Sequence, residues 1–249
     1  MRIFECLFQE TAGASFIETC FPCQPCVAEG ELSRLSRVLK HSLEIRDLEE
    51  FLSRHGHADW NKALIISVFD SDLRAGIEIL SAIQEDLDLR GNQVIGSFVY
   101  GPQGACVCKH YDGNEGLSIQ IVGRKKWKVA PPTDIVLPGN CRGDKNCMPE
   151  NSRSFVLREG SVSFLPRGWW HETEALSRSV SLNVEIHTDV WGHLFSRSLY
   201  RQLLEYPEWR TPVPLATAAQ REAARSKLAE MQKSLRPEFF SVDPRIVIP

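Results

Sequence analysis

Residues 105–132, ACVCKHYDGNEGLSIQIVGRKKWKVAPP, hold the pattern that decides the fold. Short runs rich in Val, Ile and aromatic residues are interrupted by an Asp-Gly turn and end at a Pro-Pro pair. The first run ends in His110-Tyr111-Asp112. Successive side chains of a strand point to opposite faces, so His110 and Asp112 are expected on one face. The stretch predicts consecutive β-strands with an imidazole and a carboxylate side by side.

The same pattern of short strand-like runs separated by turns extends on both sides of this stretch. It predicts a mainly β sandwich or barrel with helices at both ends. Further strand-like runs are QVIGSFVYG (93–101), RSFVLREG (153–160), SVSFLP (161–166) and SVSLNVEIH (179–187). An apolar run over 63–69 predicts one more strand. Apolar residues at helical spacing predict helices over 31–39, 46–54 and 73–83, along a line through Trp191, Leu194, Leu199, Leu203 and Leu204, and over 216–235.

We expect two parts along the chain. Residues 1–187 form the barrel domain with its N-terminal helical decoration, and residues 188–249 form a C-terminal helical extension. Such an extension suits a dimer interface or a lid. The polar segment 138–153, PGNCRGDKNCMPENSR, is expected to be a loop between strands that acts as a flap.

Composition excludes several classes of protein. With 43% hydrophobic and 24% charged residues, the chain of 249 residues is typical of a globular protein. The net charge of −3 gives no reason to expect binding to nucleic acid or to an anionic membrane. The first ten residues do not resemble a secretory signal, and no run approaches the roughly 18 apolar residues of a membrane span. We therefore expect a cytoplasmic protein with reduced cysteines.

Three of the eight cysteines, Cys20, Cys23 and Cys26, form a C-x2-C-x2-C pattern. This spacing differs from those of zinc and iron–sulfur sites, and a second CxxC pair is missing. We expect these residues to act as small buried hydrophobic side chains rather than as metal ligands.

A third ligand would turn the His110–Asp112 pair into a metal site. Two histidines and one carboxylate on one face of an octahedron leave three positions open, as in non-haem Fe(II) oxygenases. Among the seven histidines, His171 is the downstream one that lies within the strand-rich region, at the end of FLPRGWWHE. The predicted metal-binding and catalytic triad is therefore His110, Asp112 and His171. Walls of the pocket are one interpretation of Trp169, Trp170 and the 138–153 loop, and core packing or surface is the other.

Together, these motifs resemble a known family. The stretches SFVYGPQGACVCKHYDGNEGLSIQIVGRKKWKVAPP and LREGSVSFLPRGWWHE look like the catalytic barrel of the JmjC-type, cupin-like 2-oxoglutarate oxygenases, closest to their bacterial ribosomal-oxygenase branch. The resemblance covers residues 94–186. It implies a double-stranded β-helix (the jelly-roll or cupin barrel), Fe(II), 2-oxoglutarate as co-substrate and O2.

The resemblance also implies co-substrate contacts. The basic residue that pairs with the distal carboxylate of 2-oxoglutarate falls on Lys125, and strand alternation places Lys125, Trp127 and Val129 on one face. On the last strand, Ser181 and Asn183 align with polar residues near the metal or the co-substrate. Being two positions apart, they are expected to face the same way.

The expected activity is oxygenation of a protein side chain, a peptide or an amino-acid-like small molecule, with release of succinate and CO2. One alternative is a cupin dioxygenase or isomerase that uses the metal without 2-oxoglutarate. Another is a non-catalytic barrel that senses a ligand. The C-terminal helices make a homodimer a further expectation, and the sequence does not identify the substrate.

Overall fold

Two compact units make up the chain in the computed structural model, Met1–Thr188 and Asp189–Pro249. The structure describes residues 3–8, 16–34, 64–68, 74–89, 93–132, 141–142, 148–233 and 235. The helices expected over 31–39 and 46–54 lie outside these residues, apart from 31–34. The roles assigned to the two parts of the chain stay predictions.

The first unit is built on strands. Those in its described residues are β1 (Cys26–Ala28), β2 (Leu64–Ser67), β3 (Val94–Gly101), β4 (Cys106–Tyr111), β5 (Glu115–Val122), β6 (Lys125–Ala130), β7 (Cys141–Arg142), β8 (Arg153–Leu157), β9 (Val162–Leu165), β10 (Trp170–Ala175) and β11 (Ser179–Ile186). They form a six-stranded sheet of order β1-β9-β5-β11-β3-β2 and a five-stranded sheet of order β7-β4-β10-β6-β8. The strand pairs are antiparallel.

The chain passes repeatedly from one sheet to the other. For example, β5 belongs to the six-stranded sheet, whereas β4 before it and β6 after it belong to the five-stranded sheet. The β5–β6 turn depends on Gly123, which has a φ of +70°. A Cβ at this position would lie 1.9 Å from the carbonyl oxygen of Arg178. A residue with a side chain would therefore force the turn to open.

The main hydrophobic core lies on one face of the six-stranded sheet. Alternate residues of its strands, such as Phe98, Phe164 and Leu182, are fully buried there. Helices cover this face: α1 (Ile3–Phe8), α2 (Phe16–Thr19) and α3 (Arg74–Asp86) supply Leu7 and Ile83, among others. The opposite face carries serines and an asparagine and looks towards the five-stranded sheet.

The second unit contains α4 (Trp191–Leu203), a 3-10 turn (Pro207–Arg210) and α5 (Ala218–Lys233), so the C-terminal helices expected from the sequence are confirmed. None of the helices that the structure describes is long and apolar enough to cross a membrane. The strand expected over 63–69 is observed as β2, and the helix expected over 73–83 as α3.

Two short strands correct the sequence expectations. β1 lies in a region expected to be helical, and β7 lies within the segment expected to be a loop. Both have only two or three residues, too few to display a periodicity. β7 is defined by its pairing with β4, where Arg142 lies opposite His110.

The expectation that all three N-terminal cysteines are buried is wrong for Cys23, which is exposed. Cys20 and Cys26 are half-buried against the main core. Desolvation and the neighbouring Cys20 raise the pKa of the Cys26 thiol to about 12. This thiol therefore stays protonated at neutral pH, which makes it a poor nucleophile.

Candidate metal centre

The structure brings together the three residues of the predicted triad. His110 on β4 lies directly opposite His171 on β10, because these two strands are neighbours and pair at this position. Asp112 directly follows β4. Its carboxylate oxygens lie 3.9 Å from Nε2 of His110 and 3.5 Å from Nε2 of His171. One ligand atom from each residue lies within 4.8 Å of the others.

Backbone carbonyl groups orient both imidazole rings. Nδ1 of His110 lies 2.7 Å from the carbonyl oxygen of Cys108, and Nδ1 of His171 lies 3.0 Å from that of Trp169. A carbonyl oxygen can only accept, so Nδ1 of each ring carries the hydrogen and donates it. This tautomer leaves the Nε2 lone pairs free beside Asp112, which is the usual arrangement of histidine ligands.

Burial keeps His171 neutral. Desolvation and the neighbouring His110 lower the pKa of His171 to about 4, against the weaker opposing effects of the Trp169 carbonyl and Asp112. A neutral imidazole has the free lone pair that a metal ion requires. His171 can therefore serve as a ligand at neutral pH without first losing a proton.

The turn between β9 and β10 also positions Asp112. Gly168 has a φ of +77°, in the left-handed region. That region favours glycine, which has no Cβ to clash with the backbone. The N–H of Gly168 donates a 2.8 Å hydrogen bond to the carbonyl oxygen of Asp112. The PRGWWH motif thus supports two ligands, one through its backbone and the other as its final residue.

The triad lies in a cavity of about 550 Å³ lined by both sheets. The five-stranded sheet contributes the two histidines, Lys125, Trp127 and Thr173. The six-stranded sheet contributes polar side chains, namely Ser97, Ser118, Ser163 and Asn183. Trp169 lines this cavity, in agreement with the pocket-wall interpretation. Trp170 does not line it and packs edge-on against Tyr111, with ring centroids 4.9 Å apart.

Lys125 is a buried cation in this cavity. Its residue is 5% exposed, and its Nζ donates a 2.8 Å hydrogen bond to Oγ of Ser181. No carboxylate in the described part of the chain forms an ion pair with it. Desolvation lowers the pKa of Lys125 to about 8. A mostly protonated ammonium with only a hydroxyl beside it is suited to an anionic ligand.

Ser181 and Asn183 lie two positions apart on β11 and have different partners. Ser181 is fully buried and contacts Lys125, whereas Oδ1 of Asn183 accepts a 2.8 Å hydrogen bond from Ser118. Asn183 lines the cavity. Ser181 and Asn183 were expected to face the same way, and their role near the metal or the co-substrate stays a prediction.

Two further polar groups were missed by the sequence reasoning. Trp127 Nε1 and Ser163 Oγ are buried and have no hydrogen-bond partner within the described ranges, and both residues line the cavity. The available signal was alternation: Trp127 shares a strand face with Lys125, and Ser163 lies between two core residues of β9. Unpaired buried donors are costly unless a ligand satisfies them.

These residues fit a metal ion and a small dicarboxylate. Two imidazole nitrogens and one carboxylate oxygen are the donor set of non-haem Fe(II) oxygenases. Among the described residues, His110, Asp112 and His171 form a group of three potential metal ligands. Lys125, Trp127 and Ser163 provide donors for an anion in the same cavity.

Comparison with known proteins shows what the strand-rich part of the chain is similar to. Residues 78–194 match the family described as JmjC domain. Rattus norvegicus ribosomal oxygenase 2 is 30% identical to this chain over 118 residues, 44% of this chain and 25% of the relative. Bacillus subtilis YxbC is 25% identical over 260 residues, 84% of this chain and 78% of the relative.

The fold of this chain is also found in a solved structure. The X-ray structure of Escherichia coli YcfD covers 90% of this chain, and 68% of YcfD is covered, at a TM-score of 0.55 and 16% identity. At this identity the likeness concerns the fold alone. It confirms the predicted mainly β, cupin-type barrel with flanking helices.

Proposed function

We propose that this protein is an Fe(II)- and 2-oxoglutarate-dependent oxygenase that hydroxylates its substrate with release of succinate and CO2. One observation supports the proposal above all. The cavity that holds His110, Asp112 and His171 also holds Lys125, a buried cation without a carboxylate partner among the described residues.

His110, Asp112 and His171 would hold Fe(II), and Lys125 with Ser181 would hold the distal carboxylate of 2-oxoglutarate. When bound, iron and 2-oxoglutarate supply the oxidative chemistry that activates O2. The chain supplies ligands, orientation and exclusion of water. The Cys108 and Trp169 carbonyl groups keep Nε2 of each histidine directed at the metal position.

Lys125 gains its effect from burial. At about 4 Å, attraction between a cation and a carboxylate is worth about 4 kcal/mol at an effective dielectric constant of about 20, against about 1 kcal/mol in water. The ammonium is already desolvated before the ligand arrives, so part of the cost of binding is met during folding. Trp127 and Ser163 could donate further hydrogen bonds to the same anion.

A protein side chain is the substrate that we favour, with a peptide or an amino-acid-like molecule as smaller versions of the same chemistry. The support is similarity to a protein named ribosomal oxygenase, although this chain spans only a quarter of that relative's length. We do not expect nucleic acid as a partner. The cytoplasmic location stays a prediction.

A homodimer through the C-terminal helices is part of the proposal. Trp191 on α4 is 79% exposed and Tyr200 is 61% exposed. Large aromatic side chains are usually more buried than this. Light scattering should give twice the mass of one chain, and Trp191→Asp should reduce it to the mass of one. If the unaltered chain has the mass of a monomer, the homodimer proposal is contradicted, and the proposed activity is not affected.

Succinate formation tests the activity. The protein, loaded with Fe(II) under argon, is mixed with 2-oxoglutarate, O2 and candidate ribosomal peptides. Proton NMR should show loss of 2-oxoglutarate and gain of succinate, and mass spectrometry should show a product heavier by one oxygen. Product formation that is indifferent to 2-oxoglutarate would favour a cupin dioxygenase. Metal binding without turnover would favour a ligand-sensing barrel.

A further inference from the structure

An ion pair between a partly exposed arginine and a buried carboxylate lies beside the metal centre and is not accounted for by ligand binding. Glu115 begins β5 three residues after Asp112, and its side chain is 2% exposed. Arg167 lies in the β9–β10 turn. Its Nε donates to Oε1 of Glu115 at 2.6 Å, and its Nη2 donates to Oε2 at 3.1 Å. This is the two-pronged geometry that gives arginine–carboxylate pairs their directional strength.

Thr188 completes the arrangement. Its carbonyl oxygen and Oγ1 accept hydrogen bonds from Arg167 Nη2 at 2.9 Å and 3.0 Å. Its backbone N–H and its hydroxyl donate to Oε2 of Glu115 at 3.3 Å and 2.9 Å. Three segments distant in sequence are therefore joined: the start of β5, the β9–β10 turn and the residues after β11.

Two of these segments adjoin ligands of the metal triad: the start of β5 follows Asp112, and the β9–β10 turn precedes His171. The turn that contains Arg167 donates the Gly168 N–H to the carbonyl oxygen of Asp112. The same turn supplies the Trp169 carbonyl oxygen that accepts from Nδ1 of His171. A displacement of this turn would move both Asp112 and His171, while His110 is oriented by a carbonyl within its own strand.

We infer that Arg167 is a positioning residue for the metal triad: clamped by Glu115 and Thr188, it fixes the turn that sets the relative placement of Asp112 and His171. The inference rests on the proposed metal site and adds to it a support that contacts no ligand. Groups that orient metal ligands typically change metal affinity by about 10- to 100-fold when they are removed.

Arg34 offers a control, because it is another arginine of the same unit and is more deeply buried than Arg167. It is 3% exposed and donates to the backbone carbonyl oxygens of Glu29 and Gly160. Neither carbonyl belongs to the segments around the triad. Arg34→Gln should therefore lower the temperature of thermal unfolding without altering the metal site.

Cobalt(II) provides a readout that does not depend on activity, since its visible absorption reports both affinity and ligand geometry. We expect Arg167→Gln to raise the Kd for Co(II) by about 10- to 100-fold and to change the shape of the bands. Arg167→Lys keeps the charge but loses the two-pronged contact. Its Kd for Co(II) should therefore lie between those of the unaltered chain and Arg167→Gln. Arg34→Gln should keep both the affinity and the bands of the unaltered chain.

A double variant separates positioning from stability. Glu115→Gln alone leaves Arg167 facing a neutral group, whereas Glu115→Gln with Arg167→Gln removes both charges, which often restores stability. We expect the double variant to regain part of the lost thermal stability and to keep the weak Co(II) affinity. Recovery of affinity in step with stability would overturn the inference.

The remaining outcomes are equally decisive. Unchanged Co(II) affinity and bands in Arg167→Gln would overturn the inference while leaving the metal site intact. Equal losses in Arg167→Gln and Arg34→Gln would overturn it by showing a general effect of destabilisation. Failure of the unaltered chain to bind Co(II) would instead overturn the metal site, and this inference with it.

Discussion

The two sheets of the first unit differ in what they bury. One face of the six-stranded sheet packs against helices in a core that extends from Phe4 to Ile186 along the chain. The core cluster that includes the five-stranded sheet is small among the described residues: Trp127, Val129 and Leu157 come from that sheet, and Leu165 comes from β9. Yet this second sheet carries both histidines and Lys125.

This difference separates the source of stability from the source of chemistry. The six-stranded sheet gains its stability from one apolar face and can present polar side chains on the other. The five-stranded sheet holds charged and metal-binding groups that oppose burial, so it relies on its partner sheet for support. Substitutions in the two sheets should therefore have different consequences.

The largest effect is expected at the triad. His110→Ala or Asp112→Ala should reduce succinate formation by at least about 1,000-fold, because two remaining ligands hold Fe(II) poorly in an open site. Thermal stability of the metal-free chain should change little. Succinate is measured by NMR, and thermal unfolding by circular dichroism.

His193→Ala is the matched control for the triad, since His193 lies on α4 in the second unit. It should keep full activity. Normal succinate formation in both triad variants would remove the basis of the oxygenase assignment.

The converse effect is expected at Phe98, a fully buried residue in the middle of β3. Phe98→Ala should lower the free energy of unfolding by about 3–5 kcal/mol, because it leaves a large cavity in the main core. The fraction that remains folded should bind Co(II) normally. Urea titration measures the first quantity, and a large loss of metal affinity in the folded protein would contradict the separation of roles.

Replacing Lys125 should raise the free energy of unfolding, whereas replacing a buried residue usually lowers it. Desolvation lowers the pKa of Lys125 from 10.5 to about 8. Below pH 8 the folded chain keeps a charged ammonium buried, whereas the unfolded chain hydrates it, so Lys125→Met should be the more stable protein without ligands. The lowered pKa corresponds to a difference of about 3 kcal/mol at most.

The pH dependence of this difference has a defined sign. Between about pH 8 and 10.5 the folded state of the unaltered chain binds fewer protons than the unfolded state, so its stability rises with pH. The advantage of Lys125→Met should shrink over this range. Urea titrations at pH 7, 9 and 10.5 measure it, and a constant difference would show that Lys125 is not desolvated.

The same variant should bind 2-oxoglutarate poorly. Removing one partner of a buried charge pair typically costs about 2 kcal/mol or more, so the KM for 2-oxoglutarate should rise by about 30-fold or more in Lys125→Met. The Kd for Co(II) should change much less, because Lys125 is not a ligand. Equal losses of both affinities would assign Lys125 a structural role.

The smallest effect is expected at Asn183, whose recorded polar partner is Ser118. Asn183→Ala should cost about 1 kcal/mol of unfolding free energy, the worth of one hydrogen bond, and should change the KM for 2-oxoglutarate only a few-fold. Ser118→Ala should give a similar loss. A change in KM of about 100-fold would place Asn183 in direct contact with the co-substrate.

The barrel and the triad could be predicted because their signals are local or spaced by strand alternation. His110 and Asp112 are two residues apart, and the PRGWWH turn marks the strand that bears His171. The contacts of Arg167 with Glu115 and Thr188 could not be predicted, since they join residues 52 and 21 positions from Arg167. Pairing at such separations depends on strand order, which no local pattern encodes.

From its sequence alone, this protein was determined to be a strand-rich barrel with an imidazole and a carboxylate on one strand, because side-chain alternation follows from backbone geometry. The tertiary structure alone decided that β4 and β10 are neighbours, that Lys125 is buried beside Ser181, and that Arg167 joins the ligand-bearing segments. These facts depend on which strands pair across the two sheets, and pairing is a property of the folded chain as a whole.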